Sequence, residues 1–167
     1  MFSPQKEFSK IYDQYIGKIY RFIFLKVNSQ ETAQDLTSET FTRAWSKFND
    51  SQDPSPKVQN WQAFLYQIAR NLLADFYREN NKFQVISASS VADPPADINL
   101  EEQAILGSDM EQVRAGLAKI GEEQQEVIIW RYLDGLSTKE IAEILGKPEG
   151  TIRVILHRAL ATLRGKL

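Results

Sequence analysis

Residues 138–157 read Thr-Lys-Glu-Ile-Ala-Glu-Ile-Leu-Gly-Lys-Pro-Glu-Gly-Thr-Ile-Arg-Val-Ile-Leu-His, the pattern of two short helices that cross at a tight turn. Ala142 puts a small side chain where the helices must approach closely. Gly146, four residues on, suits a left-handed turn, which glycine adopts at least cost. Ile141, Leu145, Ile152 and Leu156 then fall on the faces that meet. With those positions inside, Glu149, Arg153, Val154, His157 and Arg158 point away from the junction and form one outward face suited to a major groove. On it Arg153 is placed for a guanine edge or a phosphate, His157 for a base or phosphate, and Arg158, with Arg164 beyond it, for backbone contacts. A helical hairpin with a glycine turn can also be purely structural. The charge weighs against that: from Lys147 onward Lys147, Arg153, Arg158, Arg164 and Lys166 are opposed by Glu149 alone, a local net charge of +4.

Upstream of this hairpin, residues 122–133 and, more weakly, 100–120 repeat helical spacing. Between residues 81 and 113 the composition shifts: Lys82 faces Asp93, Asp97, Glu101, Glu102, Asp109 and Glu111, a local net charge of −5. Ser87 to Pro95 has no helical period and carries adjacent prolines, as a linker does. Before it lie three amphipathic stretches. Phe8, Ile11, Tyr12, Tyr15, Ile16, Ile19, Tyr20, Ile23 and Val27 mark one helical face, and Asn28 and Ser29 are good capping residues after it. Ala33, Leu36, Thr40, Phe41, Ala44, Trp45 and Phe48 mark a second helix. Asn49 to Pro56, rich in turn formers and prolines, reads as a loop. A third helix runs from Trp61 to about Arg78, with Trp61, Phe64, Leu65 and Ile68 as its expected core contribution. The fold expected is all-α, two small helical domains at 1–80 and 109–167 joined by an acidic linker at 81–108.

Composition narrows the function. The chain has 167 residues, no cysteine and a single histidine, His157. Disulfides, thiolate zinc sites, iron–sulfur clusters and multi-histidine metal sites are excluded, and no cofactor or metal is expected. No catalytic site is expected either. A net charge of −2 argues against a uniformly basic nucleic-acid coat. No stretch approaches the ~18 uninterrupted apolar residues of a membrane span, and nothing at the N-terminus reads as a signal peptide, so no membrane insertion and a cytoplasmic location are expected.

Two further faces carry chemistry. The third helix is crowded with aromatics, Trp61, Phe64, Tyr66, Phe76 and Tyr77, and on its opposite face Gln67, Arg70, Asn71, Ala74 and Arg78 share a polar, positively charged strip beside exposed aromatic edges, able to stack and hold unpaired bases. On the second helix Asp35 and Glu39 lie on one face with Arg43 a turn further. Paired carboxylates raise acid–base catalysis, but no glycine loop, metal ligand or third group accompanies them, and a protein-docking face is the more economical reading. The residues alone also fit a helix-turn-helix regulator whose N-terminal bundle senses a ligand or dimerises.

Three segments, in order, resemble the bacterial extracytoplasmic-function sigma factors of RNA polymerase, and the resemblance spans nearly the whole chain. Residues 33–48 are similar to the family helix that grips the β′ clamp helices of the polymerase, with Asp35, Glu39 and Phe41 at matching positions and Ser38 where glutamine is common. Residues 61–78 resemble the helix that melts and reads the promoter minus-ten element. The resemblance implies that Asn71 touches a flipped base, with the loop at 49–60 helping to form its pocket. Residues 122–137 and the hairpin after them resemble the region that binds the minus-thirty-five element as duplex. Val154-Ile155 stand where the family commonly has Ser-Arg. The loss of that arginine should weaken sequence-independent contact, while Val154 suits a thymine methyl. The partners implied are core RNA polymerase, through its β′ clamp helices and β flap, promoter DNA, and an anti-sigma factor.

Overall fold

Ser3 and Pro4 set the start of the first helix. The Ser3 side chain accepts from the Lys6 N–H, and proline at the first helical position gives up a donor that would have no partner there. In the computed structural model, which describes residues 3–50, 57–83 and 112–166, α1 spans Pro4–Val27, one turn longer than the apolar spacing predicts. Asn28 ends it in the left-handed region, φ 52°, with its N–H on the Phe24 carbonyl at 3.0 Å. Ser29 then caps α2, Gln30–Asn49, by accepting from the Thr32 N–H at 3.2 Å. Asn60 does the same for α3, Trp61–Phe83, through the Ala63 N–H at 3.0 Å. α3 continues through the first three residues assigned to the linker. The loop from 51 to 56, the linker from 84 on and the helical stretch at 100–111 lie outside the described residues.

The chain divides into two units, Met1–Pro95 and Ala96–Leu167. All regular structure among the described residues is helical.

In the first unit α1, α2 and α3 pack mutually into a three-helix bundle. Its centre is Ile19, Phe22 and Ile23 of α1, Ala33, Thr40 and Ala44 of α2, and Leu65, Tyr66 and Ala69 of α3. Small residues along α2 let the neighbouring helices come close, and aromatic rings fill the rest. At one end Phe8 meets Trp45 at 5.2 Å, Phe48 at 5.5 Å and Trp61 at 6.2 Å between ring centroids. At the other the Tyr77 hydroxyl donates to the Lys26 carbonyl at 2.6 Å, tying α3 to the last turn of α1. Burial raises the Tyr20 phenol above its ordinary pKa, and its ring stacks on Phe24.

Tyr66 is fully buried, its ring edge-on to Phe22 at 5.4 Å. Trp61, Phe64 and Ile68, expected in the core, are half-buried. Leu65, Ala69, Leu72 and Leu73 make the inner face of α3 instead.

The described part of the second unit begins with a short helix at 112–117, α4. The Gln125 side-chain amide donates to the Leu117 carbonyl at 2.6 Å and the Ile120 carbonyl at 3.2 Å, fastening the end of α4 to α5, Glu122–Ile128. The expected α-helix over 122–133 is not continuous. From Ile129 to Leu133 the backbone widens to a π-turn, with the Asp134 N–H reaching back five residues to Ile129 at 2.9 Å. Trp130 on this turn is the largest fully buried side chain. Gly135 at φ 72° turns the chain, and Ser137 opens α6, Thr138–Leu145, with a reciprocal capping box: its hydroxyl accepts from the Glu140 N–H and the Glu140 carboxylate from its own. Gly146, φ 63°, is the left-handed turn into α7, Glu149–Lys166. Ile141, Ile152 and Leu156 are buried at the α6–α7 junction as the spacing predicts; Ile144 and Ala159 are buried with them, while Leu145, expected there, is only half-buried.

Candidate docking and nucleic-acid faces

Burial of one α2 face fixes what the other presents. Ala33, Thr37, Thr40, Phe41 and Ala44 point into the bundle, so Asp35, Ser38, Glu39 and Thr42 stand outward at helical spacing. The Thr40 and Thr42 hydroxyls donate back to the carbonyls of Leu36 and Ser38 at 2.7 and 2.8 Å, which satisfies the buried Thr40 hydroxyl inside the bundle and engages the exposed one of Thr42. Glu39 accepts from Arg43 Nε at 3.0 Å. Phe41, expected on the docking face, is only 5% exposed, its ring edge-on to Tyr12 at 4.9 Å. It supports the acidic face from beneath and does not belong to it. The aromatic at this surface is Tyr12 of α1, 42% exposed, which the apolar spacing of α1 assigns to the interior.

On α3, Gln67, Asn71, Ala74 and Arg78 are exposed and Arg70 is half-buried. The aromatic cluster at Trp61 and the Tyr77 bond at the far end hold both ends of this strip to the bundle, so its groups sit on a rigid helix. Arg78 is paired with Asp75 one turn earlier, a partner absent from the sequence reading.

On α7, Arg153, Val154, His157 and Arg158 are exposed on the face opposite Ile152, Leu156 and Ala159, and Val154 is one of few large apolar side chains left in solvent. Glu149 is half-buried. One of its oxygens, Oε1, accepts from the Thr138 hydroxyl at 2.7 Å and from Arg153 Nη2 at 2.9 Å. Lys147, counted among the basic residues of the tail, donates to Glu123 of α5 at 2.6 Å. Two of the tail's cations are therefore neutralised inside the unit. Thr138 is the residue that sequence reasoning missed; an N-terminal threonine of a helix ordinarily signals only a cap.

Among the described residues no cluster of His, Asp or Glu is arranged to hold a metal ion, and no helix is long and apolar enough to cross a membrane.

Comparison with known proteins finds two family matches along the chain. The Sigma-70 region 2 family matches residues 11–83, and the Sigma-70, region 4 family matches residues 110–163. The ECF RNA polymerase sigma factor SigW of Bacillus subtilis is 31% identical over 172 residues, covering 98% of this chain and 90% of SigW. BldN of Streptomyces coelicolor, also an ECF RNA polymerase sigma factor, is 35% identical over 162 residues, 93% of this chain; the match spans 58% of BldN's own length. Among solved structures, the sigma factor RpoE from Bartonella quintana, in complex with the anti-sigma factor NepR, superposes with a TM-score of 0.70 at 25% identity, covering 96% of each chain. CnrH, solved with the cytosolic domain of CnrY, shares the fold, with a TM-score of 0.70 at 21% identity over 96% of this chain.

Proposed function

The chain belongs to the extracytoplasmic-function sigma factors of RNA polymerase, and we propose a division of that family's work among its three faces. The family directs core polymerase to promoters and promotes their opening. The acidic face of α2, with Asp35, Ser38 and Glu39, docks on the β′ clamp helices. The strip on α3 captures unstacked bases of the minus-ten element, with Asn71 at a flipped base and Arg70 and Arg78 along the backbone. The α7 face, with Arg153, Val154, His157 and Arg158, lies in the major groove of the minus-thirty-five element, and its unit meets the β flap. Residues 1–80 and 109–167 act as the two working domains, with 81–108 as the span between promoter elements.

The observation that carries this reading is the α7 face: four side chains able to meet DNA stand exposed on a helix locked by Ile152, Leu156 and Ala159. Capture of unstacked bases offsets the cost of opening, a few kcal/mol per base. Nucleotidyl transfer belongs to the polymerase, and this chain contributes recognition, not catalysis. Its place of action is the cytoplasm, where the polymerase works. An anti-sigma partner follows from RpoE, whose solved complex contains one.

The double variant Asp35→Ala/Glu39→Ala tests the docking assignment. Both side chains are exposed, so the bundle should stay folded by circular dichroism. Charged contacts at an interface each contribute about 1 kcal/mol or more, so affinity for core polymerase should fall roughly tenfold or further. Full polymerase-dependent transcription by the folded double variant would remove α2 from the docking surface.

A further inference from the structure

Glu149 stands on the face expected to meet DNA, yet its carboxylate is already engaged. Oε1 accepts from the Thr138 hydroxyl at 2.7 Å and from Arg153 Nη2 at 2.9 Å. Thr138 is the first residue of α6 and Glu149 the first of α7. A single oxygen therefore joins the starts of both helices of the hairpin and the guanidinium one turn along.

An exposed pair four residues apart on a helix is ordinarily a minor feature, since both side chains lose rotamer freedom to form it. The third member changes its character. The hydroxyl comes from another helix, eleven residues away in sequence, so the carboxylate is a fixed acceptor and not one end of two swinging chains. Arg153 is 64% exposed at its side chain and Glu149 40%, so the guanidinium is gripped on one side and open on the other. A guanidinium is a planar fork of five donors, and bidentate donation to guanine O6 and N7 demands that the plane be aimed. A phosphate also takes the fork bidentately, but its oxygens point in several directions and accept it over a wider range of approach than the fixed edge of a base. The carboxylate also occupies the first turn of α7, where the helix dipole would otherwise attract a phosphate.

We infer that Glu149, held by Thr138, is a positioning residue for Arg153, aiming its guanidinium at a base edge and withholding it from phosphate. The inference rests on the reading of Arg153 as a contact to the upstream promoter duplex. It trades sequence-independent affinity for selectivity, in a chain whose net charge of −2 already limits free DNA binding.

The test is a selection by polymerase carrying the full-length chain, from duplexes randomised over the upstream element, at 50 and 200 mM salt. Wild type is compared with Glu149→Gln, Thr138→Val, Arg153→Ala and the Glu149→Gln/Arg153→Ala pair. Thermal denaturation of each variant verifies folding, and Thr138→Val tests the same device with the carboxylate intact. Release of Arg153 to a phosphate adds up to one contact, each worth about −0.9 in the slope of log K against log salt, or about 3.5-fold between the two salt concentrations. Glu149→Gln should steepen the slope by up to about one. It should also lower discrimination for guanine at the position Arg153 reads by about fivefold or more, since a good bidentate pair supplies that much. Thr138→Val should shift both quantities in the same direction by less, and Glu149→Gln should do nothing further once Arg153 is alanine. Three outcomes overturn the inference. If Glu149→Gln keeps its full effect beside Arg153→Ala, Glu149 contacts DNA itself. If it changes neither quantity while Arg153→Ala loses guanine selection, the clamp has no function and the Arg153 reading stands. If Arg153→Ala leaves selection unchanged, that reading fails as well.

Discussion

Trp130→Ala should cost the C-terminal unit about 3–5 kcal/mol, the range for deleting a buried aromatic ring and leaving its cavity. Trp130 has no solvent exposure and lies on the π-turn, in a unit whose other large fully buried side chains are Val127, Ile129, Leu136, Ile141 and Ile152. The backbone around it is committed as well: its carbonyl accepts from the Leu136 N–H at 2.8 Å, the bond that brings the chain round to Ser137 and the start of α6. A cavity here undermines α6 and, through the α6–α7 junction, the face with Arg153 and His157. Small domains have only about 5–15 kcal/mol to lose, so amide protection at Ile128, Ile141 and Ile152 should collapse. Protection within a factor of ten of wild type at those amides would mean that the unit's stability lies elsewhere.

Phe22→Ala should be similarly damaging to the N-terminal bundle, about 3–5 kcal/mol. The ring is fully buried, meets Tyr66 edge-on at 5.4 Å, and has the Lys26 ammonium 5.5 Å from its centroid. Aromatic contacts of that geometry add about 0.5–1.5 kcal/mol beyond the area they bury, which favours the upper part of the range. Both α2 and α3 take their orientation from α1, so the docking face and the base-capturing strip should be lost together. Urea denaturation followed through Trp45 and Trp61 fluorescence measures the effect, and a loss below about 1 kcal/mol would contradict it.

These two residues differ in how far the sequence exposes their roles. Helical spacing, capping serines, Gly146 and the hydrophobic set Ile141, Ile152 and Leu156 are local signals, and they marked the three-helix bundle and the hairpin correctly. The π-turn escaped because a 3.6-residue reading of residues 122–133 absorbs one extra residue without disturbing the apolar pattern. The spacing of α2 puts Phe41 on the apolar face, where it is buried, and only the resemblance set it among docking residues. The residue that escaped is Tyr12, assigned by the spacing of α1 to the apolar face yet 42% exposed, its ring edge-on to Phe41.

Electrostatics were legible in sum and not in pairing. The +4 of the last helix and its flanks already counts Glu149, which pairs with Arg153; Glu123 of α5 offsets it further at Lys147, and Asp75 pairs with Arg78 on α3. Two of these are helical neighbours that a charge map of the helix would have found. The Lys147–Glu123 and Thr138–Glu149 contacts join different helices and need the folded chain. The net charge of −2 therefore describes a protein in which Arg78 and Arg153 are each paired with a carboxylate on their own helix.

This chain gives core RNA polymerase its promoter choice. The most direct measurement is transcription in vitro by purified core polymerase on a fragmented genomic library, with and without the chain, mapping transcript 5′ ends. The predicted result is a discrete set of start sites that appears only with the chain, shares two spaced upstream elements, and disappears with Asp35→Ala/Glu39→Ala. Operator binding by the chain alone, with no start site that depends on it, would contradict the claim.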